Sequence, residues 1–125
     1  MSIIKISVIT ITYNAENVIM RTLDSVLKQT FSNIEHIIID GASKDSTLLA
    51  EREYESRSCS TNNGHEIKII SEPDKGLYDA MNKGIGKATG NYLVFLNAGD
   101  VFPSSSTLET VADMIGDGEE LPGVL

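Results

Sequence analysis

The chain has 125 residues, 41% of them hydrophobic, which is one domain by length with enough apolar material to bury a core. Eighteen acidic against ten basic residues give a net charge of −8, which excludes a general electrostatic footprint for nucleic acid or an anionic membrane. The single cysteine excludes an internal disulfide and any multi-cysteine metal centre, and no apolar run reaches the roughly 18 residues of a membrane span.

In chain order, Lys5–Ile11 (K-I-S-V-I-T-I) is short, β-branched and apolar, and predicts a buried strand. Asn14 is placed as the N-cap of a helix carrying Val18, Ile19, Leu23, Val26 and Leu27 at helical spacing and ending near Gln29. Ile34–Ile39 predicts a second strand, Gly41–Ser43 a turn, and Asp45–Arg57 a second helix whose apolar residues are Leu48, Leu49 and Tyr54. Ser58–Gly64 reads as a polar loop and Glu66–Ser71 as a third strand. After a turn at Pro73–Gly76, Leu77–Ala88 predicts a helix with Leu77, Met81, Ile85 and Ala88 on one stripe, ended by Gly90. Asn91–Leu96 is a fourth strand. Pro103 and Ser104 open a last helix with Leu108, Val111, Ala112 and Ile115 on its face, stopped by Gly116. Leu121–Leu125 is where a fifth strand would start.

Strand–helix alternation with nearly continuous apolar strands predicts a parallel α/β sheet covered on both faces. Ligands of such sheets bind outside the carboxyl ends of the strands. There the chain offers Thr12-Tyr13-Asn14, Asp40-Gly41-Ala42-Ser43, Glu72-Pro73-Asp74 and Asn97-Ala98-Gly99-Asp100.

No G-x-G-x-x-G follows the first strand and no G-x-x-x-x-G-K-[ST] occurs, which argues against a dinucleotide oxidoreductase and a P-loop nucleotidase. Gly84-Ile85-Gly86 falls inside a predicted helix. No Ser-His-Asp set is credible: His36 sits mid-strand as a packed or edge side chain, and His65 sits at a solvated loop end. Cys59, in a polar loop, is a bystander. The carboxylates remain. Asp100 can hold Mg²⁺ or Mn²⁺ together with diphosphate oxygens and water, or else starts a turn before Pro103. Asp40 can accept hydrogen bonds from a base or ribose, or else caps the Gly41–Ser43 turn.

Five segments in register, V-I-T-I-T-Y-N, S-V-L-K-Q-T-F, I-I-I-D-G-A-S-K-D-S-T, E-P-D-K-G-L-Y-D-A-M-N-K-G-I and A-T-G-N-Y-L-V-F-L-N-A-G-D, resemble family 2 glycosyltransferases, above all bacterial enzymes of polysaccharide synthesis. The resemblance covers about positions 5–117. It implies a Rossmann-like GT-A fold, a nucleotide-diphosphate sugar donor, inversion at the anomeric carbon and a divalent cation, Mg or Mn. It places Thr10, Thr12, Tyr13 and Asn14 at the nucleotide base pocket. The D-D-G-S-x-D segment of the family appears as Asp40 to Asp45, with Gly41 at the second acid. The D-x-D segment appears as Asn97 to Asp100, with Asp100 alone as metal ligand. Nucleotide-sugar binding is thereby expected at Thr12, Tyr13, Asn14, Asp40, Asp45, Lys83 and Asn97. Lys83 either approaches the diphosphate or is a solvated helix lysine. Asp74 and Asp79 fall on the donor side.

Family members are considerably longer and carry the acceptor site and catalytic base in their second half. Residues 1–125 therefore read as a truncated, donor-binding half that binds donor without transferring sugar to the glycan or lipid-linked acceptor. Its unpaired edge predicts self-association. The alternatives are a non-catalytic nucleotide-binding module and a nucleotidyltransferase, the latter lacking its Gly-rich basic loop after the first strand. No signal peptide is evident. The expected location is cytoplasmic, as a free protein or one peripheral to the inner membrane.

Overall fold

The computed structural model describes residues 4–116. Four strands, β1 (Ile6–Thr12), β2 (Ile34–Asp40), β3 (Glu66–Ser71) and β4 (Tyr92–Phe95), form a parallel sheet in the order β3-β2-β1-β4. They alternate with α1 (Ile19–Leu27), α2 (Thr47–Thr61), α3 (Leu77–Lys87) and α4 (Thr107–Gly116). The expected fifth strand at Leu121–Leu125 lies outside the described residues.

Side chains alternate across the sheet, so even and odd positions of β1 and β2 serve different faces. Ile6, Val8 and Ile34 pack with Val26 of α1 and with Leu108 and Ala112 of α4. Ile38 packs with Ile19 and Leu23 of α1 and Tyr54 of α2. The opposite face, Ile9, Ile37 and Ile39, receives α3 through Ala80. Both faces are covered, as the continuous apolar strands predict.

Five details differ from the sequence expectation, each for a local reason. Asn14 is not a helix cap: it bends the chain in the left-handed region (φ 47°), and α1 begins only after Val18 and Ile19 bond back to the Ala15 carbonyl. Helix α2 starts later, at Thr47, because Asp45 Oδ1 accepts from Thr47 N (3.0 Å) and turns the chain just before it. It then runs through the expected polar loop to Thr61, where left-handed Asn62 (φ 55°) ends it, so Cys59 lies on a helix. On α3 the buried residues are Ala80 and Gly84, whereas Leu77 and Ile85 are 63% and 45% exposed. A Cβ on Gly84 would lie 2.6 Å from Ile9 Cγ2, so small residues are what lets this helix sit down on an isoleucine surface. Finally, α4 starts at Thr107 because Gln29 holds its entrance, donating Nε2 to the Ser104 carbonyl (2.7 Å) and accepting at Oε1 from Leu108 N (3.0 Å).

Both histidines are structural. His36 is fully buried, its Nε2 2.8 Å from Thr10 Oγ1 and its Nδ1 2.7 Å from Tyr54 OH. His65 is half-buried rather than solvated and donates Nε2–H to the Phe31 carbonyl at 3.0 Å.

Candidate functional site

The strand order reverses between β1 and β4, because β2 lies on one side of β1 and β4 on the other. Crevices of α/β sheets form beside such a switch, at the carboxyl ends of the strands. Here three of those ends are aligned by register: Thr12 of β1 pairs with Asp40 of β2, which pairs with Ser71 of β3.

Asp40 is the hub. Its carboxylate is fully buried and accepts from Thr12 Oγ1 (3.0 Å), Ser71 Oγ (2.8 Å), Ser43 N (2.9 Å) and Ser43 Oγ (2.5 Å). These bonds hold the 41–43 turn with Ala42 in the left-handed region (φ 61°), a conformation that costs an alanine about 1 kcal/mol or more. In this structure Asp40 thus shapes the turn, with its contacts all internal. Asn14 and Asp45 tie the two neighbouring loops together. Asn14 N donates to Ser43 Oγ (2.9 Å), and Asn14 Oδ1 accepts from Lys44 N (2.8 Å). Asp45 Oδ2 accepts from Glu16 N (3.3 Å), and Glu16 Oε2 accepts from Ser46 N (3.2 Å). Burial works against the Asp45 charge, but hydrogen bonds from Thr47 and Glu16 outweigh it and lower its pKa.

Two adjoining clefts open on this scaffold. One, of ≈ 580 Å³, lies between Tyr13, Gly41, Ala42, Pro73 and Asp74. The other, of ≈ 620 Å³, extends from Tyr13 and Leu77 to Asn97 and Ala98. Tyr13, 59% exposed, borders both. Asp74 is nearly buried and projects toward Gly41: a Cβ on Gly41 would meet Asp74 Oδ2 at 2.9 Å. Its other oxygen, Oδ1, accepts from Lys83 Nζ at 2.6 Å.

Lys83 holds the turn after β3 together. Besides Asp74, its ammonium reaches the Pro73 carbonyl (3.1 Å), Glu72 (3.2 Å) and Asp79 (3.6 Å). The Asp74 bond foremost, with Glu72 assisting, raises its pKa, so it stays charged. It is therefore neither solvated nor free, and its position is set by acids.

At the β4 end, Asn97 and Asp100 are both exposed, joined by Asp100 N donating to the Asn97 carbonyl (2.9 Å). Gly99 between them is left-handed (φ 99°) and donates to Thr22 Oγ1 (2.7 Å), which anchors the loop on α1. Among the described residues no three His, Cys, Asp or Glu side chains gather as a metal site. An exposed carboxylate with a neighbouring amide fits a cation that takes most of its ligands from phosphate oxygens and water.

Ser43 and Asp74 stand in the segments that the sequence places at the sheet edge, Ser43 in the turn after β2 and Asp74 third after β3. Glu51 escaped the sequence reading as a site residue; it lies on α2 with Thr47, Tyr54 and Ser58, all buried. Their spacing of four, three and four residues is the signal that puts a glutamate on the inner face.

Residues 7–121 match Glycosyl transferase family 2. The chain belongs to this family. As a family 2 glycosyltransferase chain it is 38% identical over 113 residues to a "PGL/p-HBAD biosynthesis glycosyltransferase" of Mycobacterium bovis, covering 90% of this chain and 42% of the relative. It spans less than half the length of such curated relatives. Among solved structures it resembles S. aureus TarS in complex with UDP-GlcNAc, with 25% identity, a TM-score of 0.75, and coverage of 94% of this chain and 37% of that one. It also resembles the mannosyltransferase PcManGT of Pyrobaculum calidifontis in complex with GDP-Man and Mn2+, with 27% identity, a TM-score of 0.77, and coverage of 92% and 33%. The glycosyltransferase fold of these neighbours agrees with the GT-A architecture expected from the sequence. No helix among the described residues is long and apolar enough to cross a membrane.

Proposed function

We propose that residues 1–125 form the nucleotide-sugar-binding part of an inverting glycosyltransferase that passes a sugar from a nucleotide-diphosphate donor to a glycan or lipid-linked acceptor. The observation that carries this reading is the placement of Asp74 Oδ2, which accepts no hydrogen bond among the described residues, at the wall of a cleft bordered by an exposed tyrosine. An aromatic face stacks on a base, and a fixed carboxylate oxygen accepts from its ring N–H. The bound GDP-Man and UDP-GlcNAc of the two structural neighbours support a donor of this class.

In this reading the base sits between Tyr13 and the 41–42 turn. The diphosphate runs past Leu77 toward Asn97 and Asp100. Thr12, Asn14, Asp40 and Asp45 hold the loops that make the pocket. Lys83 aims Asp74 and offsets its charge. A divalent cation, Mg or Mn, would be held by Asp100 with Asn97 beside it, and it supplies charge neutralisation for the departing diphosphate. The chain is expected to be cytoplasmic and to self-associate along an unpaired sheet edge. A non-catalytic nucleotide-binding module is the second reading, favoured by the single acid in Asn97-Ala98-Gly99-Asp100.

Calorimetric titration with UDP, GDP and dTDP, with and without Mn²⁺, tests the proposal. Saturable binding of at least one of them, strengthened by the cation, is expected. Absence of binding to all three would overturn it.

A further inference from the structure

Glu51 is fully buried on the face of α2 that meets the ends of β1 and β2. Its Oε2 lies 2.7 Å from Thr12 Oγ1, and the same hydroxyl lies 3.0 Å from Asp40 Oδ1. A threonine hydroxyl carries one proton and can donate to only one of them. The other contact is a hydrogen bond only if the carboxyl supplies a proton.

The two carboxyls are not equivalent sources. Asp40 also accepts from Ser43 N, Ser43 Oγ and Ser71 Oγ, so its oxygens are already engaged as acceptors. Glu51 has nothing comparable, since its Oε1 is buried without a partner among the described residues. An ionised Glu51 would be a nearly unsolvated charge beside the Asp40 charge. The proton therefore belongs to Glu51.

We propose that Glu51 is held as the neutral acid and donates to Thr12 Oγ1, which donates in turn to Asp40. The resulting directed chain makes Glu51 the positioning residue for the 41–43 wall of the cleft. Its bearing on ligand affinity rests on the nucleotide-binding reading above; the proton assignment does not.

The charges around Glu51 agree. Burial is the largest influence, and with repulsion from Asp40 on β2 and Asp45 before α2 it raises the carboxyl to about 7, with Arg52 on α2 opposing. The remaining neighbours of α2 commit their charges elsewhere or to solvent. On α1, Asp24 pairs with Arg57 and Arg21 is exposed; on β3, Lys68 pairs with Glu35 and Glu66 is exposed. When Glu51 loses its proton, Thr12 can serve only one of two carboxylates, and the turn that strains Ala42 loses its backing.

Carbon-detected NMR of the Glu51 side-chain carboxyl in the ligand-free chain reads the proton directly. Its midpoint is expected near 7, and the Ala42 and Ser43 amides should titrate with it. In Glu51→Gln, whose amide supplies the donor at every pH, those amides should not move. UDP or GDP affinity of the wild type should fall several-fold from slightly acidic to alkaline pH, beyond any change in E51Q. A Glu51 midpoint in the ordinary carboxylate range, or Ala42 and Ser43 shifts that persist in E51Q, would overturn the proposal whether or not a nucleotide binds. A midpoint near 7 with coupled amides and no nucleotide binding would uphold the proton chain and overturn the donor reading instead.

Discussion

Asp74 Oδ2 occupies the space that a side chain on Gly41 would need, 2.9 Å from where its Cβ would stand. The resembled family carries an acid at that second position after β2. Here Asp74 fills the space beside Gly41 from the turn after β3, held there by Lys83. The glycine and the aspartate are one arrangement, and neither makes sense alone.

Gly41→Ala should therefore disable the pocket without unfolding the chain. Gly41 is not among the left-handed glycines, so an added methyl strains no backbone. It does displace Asp74 Oδ2. Loss of a bond to a charged acceptor costs about 1.5–3 kcal/mol, roughly a ten- to hundredfold loss of nucleotide affinity. Calorimetry with UDP and GDP reads this, alongside a melting curve that should barely move. Wild-type affinity in G41A would contradict the role of Asp74.

Asp100→Ala should abolish the gain in nucleotide affinity that Mn²⁺ brings and leave the melting temperature unchanged, because the side chain is exposed. Titrations with Mn²⁺ and with EDTA should then coincide for the variant and differ for the wild type. A retained cation effect in the variant would place the metal elsewhere.

Two glycines of α3 should respond in opposite directions to the same substitution. A Cβ on Gly84 meets Ile9 Cγ2 at 2.6 Å, whereas one on Gly86 meets nothing within 4 Å. Overpacking at Gly84 costs about 1–3 kcal/mol and outweighs the gain in helix propensity. At Gly86 only the gain remains, about 0.5–1 kcal/mol. Thermal melts should show G84A less stable and G86A more stable than the wild type. A stabilising G84A would mean that α3 does not seat on Ile9.

The pH dependence of stability carries two opposite signs. Burial, with repulsion from His65, lowers His36 to about 3, so its share of stability is present above its ordinary 6.5 and is lost as pH falls. Burial opposes the Glu35 charge, but bonds from Lys68, Ser7 and Thr89 outweigh it and bring it to about 2, so its share is lost below 4.5. Glu51 runs the other way: raised from 4.5 to about 7, its share is complete below 4.5 and lost as pH rises through 7. E51Q should thus gain on the wild type between pH 4 and pH 8 by up to about 3 kcal/mol. Parallel denaturation curves at the two pH values read the difference, and an equal gap at both would contradict the buried acid.

The sheet was legible in the sequence because its strands are apolar on both faces and bounded by turn residues. β3 falls at the expected residues, and β1 and β2 within one. Helix α3 was misread because periodicity rewards large apolar side chains, whereas close packing on Ile9 demanded Ala80 and Gly84 and left Leu77 to edge the cleft. Thr12, Tyr13 and Asn97, expected from their position at or after a strand end, line the two clefts. Glu51 was not expected at the site, because a glutamate among arginines and serines resembles a solvated helix face until Tyr54 is seen buried beside it. Asp74 needed the third dimension, since only the fold brings it against Gly41.

The most direct test of the donor-binding account is amide chemical-shift mapping with UDP and with GDP in the presence of Mg²⁺. The account predicts that the perturbed amides cluster at Tyr13, Gly41, Ala42 and Asp74 and continue to Asn97 and Asp100. Perturbations confined to the separate hollow between Arg21, Lys28 and Phe102, or no perturbation at saturating nucleotide, would contradict it.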